Sequence, residues 1–149
     1  MAQGSFSAKV GAWVAATKAR TLAVRNESAQ RIVEEMNTAG PSVANPGGGQ
    51  GGHLPVDSGF MRASLLAING TALPSVRLNP SPDARYSYDE GQVGLVIADA
   101  AITDTLTFVY TANYSKVMEE KYAFVRLAAQ NWQNTVATVA REAQARAGQ

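Results

Sequence analysis

The sequence predicts an α+β fold: a long N-terminal helix, a small and mostly antiparallel sheet with long loops, and an amphipathic C-terminal helix. Three observations carry this. Ser5 to Thr38 contains no proline and only Gly11 as glycine, and is rich in Ala, Arg, Lys and Glu, which favour helix. Residues 62–111 hold short apolar runs set between Pro, Gly and Asn, the signature of strands and turns. From Tyr122 to Ala147, apolar side chains recur at Val125, Ala128, Trp132, Val136, Val139 and Ala143, three or four residues apart, with Arg126, Gln130, Gln133, Arg141 and Gln144 on the other side. A chain of 149 residues suits one domain, 1–149, able to bury a core without metal or disulfide.

The first helix is expected over about 5–38, with apolar anchors at Phe6, Val10, Trp13, Val14, Leu22, Val24, Ile32 and Met36. A continuous helix of that length spans roughly 51 Å, longer than a compact domain of this size accommodates. Part of it is expected to kink or to pack on another chain. Its first 25 residues carry Lys9, Lys18, Arg20 and Arg25 and no acid, as a transit peptide does. The helical stretch nevertheless continues through Glu27, Glu34 and Glu35, which favours a structural helix. Residues 39–55 hold Pro41, Pro46, Pro55 and six glycines and read as a flexible loop. Gly40 fits the residue just past the helix end, with Pro41 stopping it.

In the sheet region, 62–111, Ala63 to Asn69 places Leu66 and Ile68 on one face. Val76 and Leu78 mark a shorter strand, and Asn79 to Gly91, with Pro80 and Pro82, reads as a second long loop. Gln92 to Ala98, with Val93, Leu95, Val96 and Ile97, reads as a buried strand. It is expected to pair antiparallel with Asp104 to Thr111, where Leu106, Phe108 and Tyr110 alternate with Thr105, Thr107 and Val109. The helix over about 122–147 closes the chain with Trp132 as a core aromatic, and Arg141 and Arg146 near its end complement the helix dipole.

Composition narrows function. Thirteen Lys and Arg face twelve Asp and Glu, so nothing drives strong binding to DNA phosphates or anionic lipid. No cysteine is present, which excludes disulfides, thiolate zinc sites and cysteine nucleophiles. No apolar run approaches the length of a membrane span. The one histidine, His53, lies in the Gly-rich loop and reads as solvated, since a catalytic base needs a rigid surround. The glycine cluster lacks the Lys-Ser or Lys-Thr of a phosphate loop. The acidic pairs Glu34-Glu35, Asp89-Glu90 and Glu119-Glu120 are adjacent, so their carboxylates diverge on a helix. The serines form no nucleophile elbow. These features point away from an enzyme, and no cofactor or metal is expected.

One segment is dense in structural signals: Leu54-Pro55-Val56-Asp57-Ser58-Gly59-Phe60-Met61-Arg62-Ala63-Ser64-Leu65. Pro55 ends the loop, and Asp57 or Ser58 can cap a short turn. Gly59 permits a positive φ where the chain swings into the strand. Arg62 places a guanidinium at the strand's base, to pair with a nearby acid or to bind an anionic ligand beneath the loop.

Pro55, Asp57, Ser58, Gly59, Met61, Arg62 and Ser64 together resemble the Pro-x-Asp-Thr-Gly-x-Leu-Arg-x-Ser pattern of the tail-completion, or neck, proteins of long-tailed bacteriophages. Here Ser58 replaces Thr and Met61 replaces Leu. That family's later pattern, Tyr-Ala-x-x-x-Glu followed by an aromatic and a C-terminal helix, is similar to Tyr110 to Phe124. Tyr114, Met118, Glu119, Tyr122 and Phe124 are its candidates, with Glu120-Lys121 where a Gly usually follows the Glu.

The resemblance implies a virion structural protein at the head–tail junction, assembled in the bacterial host cytoplasm. It implies a ring of copies of the chain, a hexamer, stacked between connector and tail proteins. DNA would pass through its channel without specific binding, as the near-neutral charge suits. Tyr110, Tyr114, Glu119 and Tyr122 are candidate interface residues, and the exposed edge of 104–111 is a candidate for pairing with a neighbour. A tail terminator, a connector adaptor ring, and a small anion-binding domain using Arg62 are the alternatives.

Overall fold

The structure is a computed structural model and describes residues 5–40, 51–78, 81 and 83–148. It is α+β: helix α1 (Phe6–Met36), a short helix α2 (Phe60–Ala63), strand β1 (Leu65–Asn69), helix α3 (Glu90–Asp99), strand β2 (Leu106–Tyr110), then helices α4 (Ser115–Tyr122), α5 (Phe124–Gln130) and α6 (Trp132–Ala147). Most of the loop expected over 39–55 and the Pro80 and Pro82 positions lie outside the described residues.

The first helix forms as one uninterrupted element, started by the Ser5 hydroxyl accepting from the Ala8 N–H. Its end differs from the expectation. Asn37 closes it, donating its N–H to the Val33 carbonyl, while Gly40 instead donates to the Leu54 carbonyl at 2.9 Å. That bond, with an Ala39–Leu54 bridge, ties the far end of the loop to the helix. His53, expected in a solvated loop, is half-buried beside Gly40.

The expected hairpin between 92–98 and 104–111 does not form. β2 pairs with β1 antiparallel, with Leu65 opposite Tyr110 and Asn69 opposite Leu106. The run at 92–98 is helix α3 instead. Asp89 caps it by accepting from the Gln92 N–H, and Glu90 in the first turn complements the helix dipole. Val93 and Ile97, four apart, are buried, whereas Leu95 is 73% exposed. A strand would have put all three on one face. Gln92 ties this helix to the sheet: its side-chain amide donates to the Ala67 carbonyl at 2.9 Å and accepts from the Ala67 N–H at 3.2 Å. The strand expected around Val76 and Leu78 reduces to Arg77, whose N–H donates to the Thr111 carbonyl and whose carbonyl accepts from Asn113.

The single helix expected over 122–147 is two, α5 and α6, with α4 ending at Tyr122 just before them. Ala123 adopts the left-handed conformation (φ 55°) and turns the chain between α4 and α5, and a second break falls at Asn131. Trp132, expected in the core, is 38% exposed, on the groove between α1 and β2.

Two apolar clusters hold these elements. One joins Ala29, Ile32, Val33 and Met36 of α1 to Leu65, Ala67, Val93, Ile97 and Ala128. The other gathers Leu54, Phe60, Met61, Ala112, Tyr122 and Phe124 around the strand entry. Helix α6 runs antiparallel to the second half of α1, where Glu27 pairs with Arg31 and Arg146, Arg31 also meets Glu142, and Glu35 accepts from Asn131. The first half of α1, Ser5 to Thr21, roughly 25 Å of helix, is exposed throughout, with only Arg20 and Thr21 meeting the end of α6 across a groove.

Candidate functional site: the entry to the first strand

The segment from Pro55 to Ser64 is a tightly bonded corner. Pro55 is buried, and the chain turns at Ser58, whose hydroxyl accepts from the Phe60 N–H at 3.3 Å. Asp57 is exposed, so the capping falls to Ser58. Gly59 takes φ 83°, and a Cβ there would lie 2.5 Å from the Tyr86 carbonyl oxygen. Conformation and space both demand glycine. Tyr86 is held at this distance by its own N–H, which donates to the Ser58 carbonyl at 3.0 Å, and its ring meets Phe60 edge-on with centroids 5.1 Å apart.

After Gly59 the chain makes one helical turn. Phe60 and Met61 enter the core, and the Ser64 hydroxyl closes the turn on the Met61 carbonyl at 2.7 Å. The Ser64 carbonyl then receives both the N–H and the hydroxyl of Thr111, at 3.1 and 3.0 Å, which sets the register of β1 against β2. Among the expected site residues, Pro55, Ser58, Gly59, Met61 and Ser64 are therefore parts of one corner.

Arg62 stands on the outer side of that corner. No carboxylate lies within ion-pair distance among the described residues, so the expected pairing with an acid does not occur. Its guanidinium sits 5.9 Å from the centroid of the Tyr88 ring, and its Nε is buried without a partner. The Nδ2 of Asn37 is likewise buried and unpartnered. Both residues line a cavity of about 470 Å³ shared with Gln30, Glu34, Tyr88 and Glu90. Burial and the Glu90 charge push the Tyr88 phenol above its usual range, Arg62 opposing them. Asn37, which the sequence did not single out, is fixed by the Tyr110 hydroxyl donating to its Oδ1 at 3.0 Å.

The second group of expected residues belongs largely to the interior. Tyr110 packs edge-on against Phe124, centroids 5.3 Å apart, and burial pushes its phenol up. Tyr122 is buried, and Tyr114 is half-buried near Phe60. Glu119 spends its carboxylate on the backbone, accepting from the N–H groups of Val125 at 2.8 Å and Arg126 at 2.9 Å. It satisfies the open start of α5 where Ala123 has reversed the chain. These four candidate interface residues thus make contacts within the chain, while Tyr110, Tyr114 and Glu119 keep part of their surface exposed. Among the described residues β2 pairs with β1 on one side and has no strand partner on the other along 106–110, Arg77 bridging only beyond its end at Ala112.

Among the described residues, no three His, Asp or Glu side chains converge as metal ligands, and no helix is long and apolar enough to cross a membrane. No protein-family model matches this sequence, and neither a curated protein nor a solved structure shows significant similarity to it.

Proposed function

We propose that this chain is a structural, non-enzymatic protein of a tailed bacteriophage or phage-like particle. It forms a homo-oligomeric ring in the neck, at the head–tail junction, between connector and tail proteins. The observation that carries this reading is the strand-entry corner. The residues that resemble the neck-protein pattern, Pro55, Ser58, Gly59, Met61 and Ser64, each have a folding task at one corner rather than a place around a reacting centre. The exposed first half of α1 adds support, since a helix with large apolar residues and no cover in its own chain suits an assembly.

Quantitative mass spectrometry of purified particles, with this chain counted against the portal protein, tests it. A small, fixed ratio in keeping with a hexameric ring is the expected result, and localisation in the particle by cryo-electron microscopy separates a neck ring from a tail terminator or connector adaptor. Absence from particles overturns the reading.

The unpartnered donors of Arg62 and Asn37 favour a second reading, a small anion-binding site in the cavity they line. Glu34 and Glu90 on the same wall oppose a free anion there. Thermal stabilisation by phosphate or a carboxylate, lost in Arg62→Ala, would support it.

A further inference from the structure

We propose that the N-terminal arm of α1, Phe6 to Thr21, docks on the outer face of α3 of a second copy of this chain. This deepens the ring reading and rests on it for the head-to-tail closure of successive contacts.

The arm is built to be covered. Phe6, Val10, Trp13 and Val14 fall within about 100° of the helix circumference, and Phe6 and Trp13 are 83% and 69% exposed. Thr17 and Thr21 continue the stripe and spend their hydroxyls on the Trp13 and Thr17 carbonyls, both at 2.9 Å. The stripe then runs into the surface that already packs on α6, where Thr21 and Val24 face Ala140, Ala143 and Ala147 across a groove. The exposed part is thus the unfilled continuation of an existing helix–helix contact.

Charge identifies the occupant. Residues 1–25 carry four basic side chains and no acid, while the rest of the chain carries nine basic and twelve acidic ones. Lys9 and Arg20 flank the stripe on one side and Lys18 on the other. Two arms laid together would oppose like charges. Residues 86–115 are the complement: Asp89, Glu90, Asp99 and Asp104 with no Lys or Arg. Within them α3 exposes Leu95 between the small residues Gly91 and Ala98, with Glu90 and Asp99 exposed at its two ends. The apolar part of the arm, Phe6 to Val14, is roughly 12 Å long and α3 roughly 15 Å.

The contact has to be between copies. In its own chain α3 lies beside the second half of α1, where Arg25 donates to the Ala100 and Ala101 carbonyls at 2.9 and 2.6 Å. An unbroken helix cannot return its first half to the same place.

The test uses the full chain and two variants at exposed positions, Trp13→Glu in the arm and Leu95→Glu on α3, each checked for an unchanged circular-dichroism melt. Light scattering after size exclusion, over a concentration and salt series, gives the mass. Wild type is expected to associate, more weakly at high salt, and each variant to weaken association by about tenfold or more. Mixing the two variants leaves one intact arm and one intact α3 face, and should restore a one-to-one dimer. A wild type that stays monomeric, association untouched by either variant, or binding of the arm to anionic vesicles without self-association overturns the proposal. A wild-type dimer in place of a ring upholds the arm contact and sinks the ring. Absence from particles removes the neck function and leaves the contact standing.

Discussion

Gly59→Ala is the substitution that most directly tests how the strand entry is built. Two costs combine. At φ 83° an alanine pays the left-handed penalty, about 1–2 kcal/mol. Its Cβ would also arrive 2.5 Å from the Tyr86 carbonyl oxygen, a backbone atom that cannot rotate away. Relief requires the Tyr86 strap to move, which loses the 3.0 Å bond from the Tyr86 N–H to the Ser58 carbonyl, about 0.5–1.5 kcal/mol, and loosens the edge-on contact with Phe60. The expected destabilisation is about 2–4 kcal/mol. Urea unfolding followed by circular dichroism measures it, with the slope checked against wild type so that a shifted midpoint reports stability. Gly11→Ala is the control: it lies in an exposed helix with nothing near its Cβ, and should be neutral or stabilising by up to about 1 kcal/mol. A Gly59→Ala change below about 0.5 kcal/mol would refute the reasoning, because it would mean that the corner does not need its left-handed turn or its contact with Tyr86.

Phe124→Ala, at a fully buried side chain in the strand-entry cluster, should cost about 3–5 kcal/mol, whereas Trp132→Ala, 38% exposed, should cost clearly less in the same urea experiment. Glu119→Ala should cost about 0.5–2 kcal/mol by stripping the acceptor from the Val125 and Arg126 N–H groups, and hydrogen exchange at those two amides should rise with it. Glu27 is held below its ordinary value of 4.5 chiefly by the Arg146 hydrogen bond, and Glu142 chiefly by Arg31. Carboxyls that are more acidic when folded stabilise the protein above about pH 4.5 and lose that contribution as pH falls below it. Acid titration of thermal stability should therefore show a decline that is shallower in Glu142→Gln.

The first helix was legible because over thirty-one residues it holds no proline and a single glycine, Gly11. The corner was legible because Gly59 beside Ser58 and Pro55 makes local demands that no distant contact alters. The 92–98 run was misread because Val, Leu and Ile suit a strand as well as a buried helix. The deciding signals lay at its start: Asp89 as a cap and Glu90 in the first turn. Once α3 is a helix, β2 must find another partner, and Leu65 to Asn69 supplies it. The C-terminal breaks at Ala123 and Asn131 carry no local signal of the glycine kind. Ala123 tolerates its left-handed turn because Glu119 accepts from the amides that follow.

The sequence by itself determined the α+β character, the long first helix and the glycine-dependent corner, since each follows from propensity and backbone sterics within a few residues. Only the tertiary structure decided which strands pair, that Arg62 lies against Tyr88 with no carboxylate in reach, that Tyr110 and Tyr122 turn inward, and that the front of α1 is left bare. Those outcomes depend on which surfaces meet. Burial is a property of the assembled chain, and a residue's neighbours across the fold, rather than its neighbours in sequence, set what it can touch.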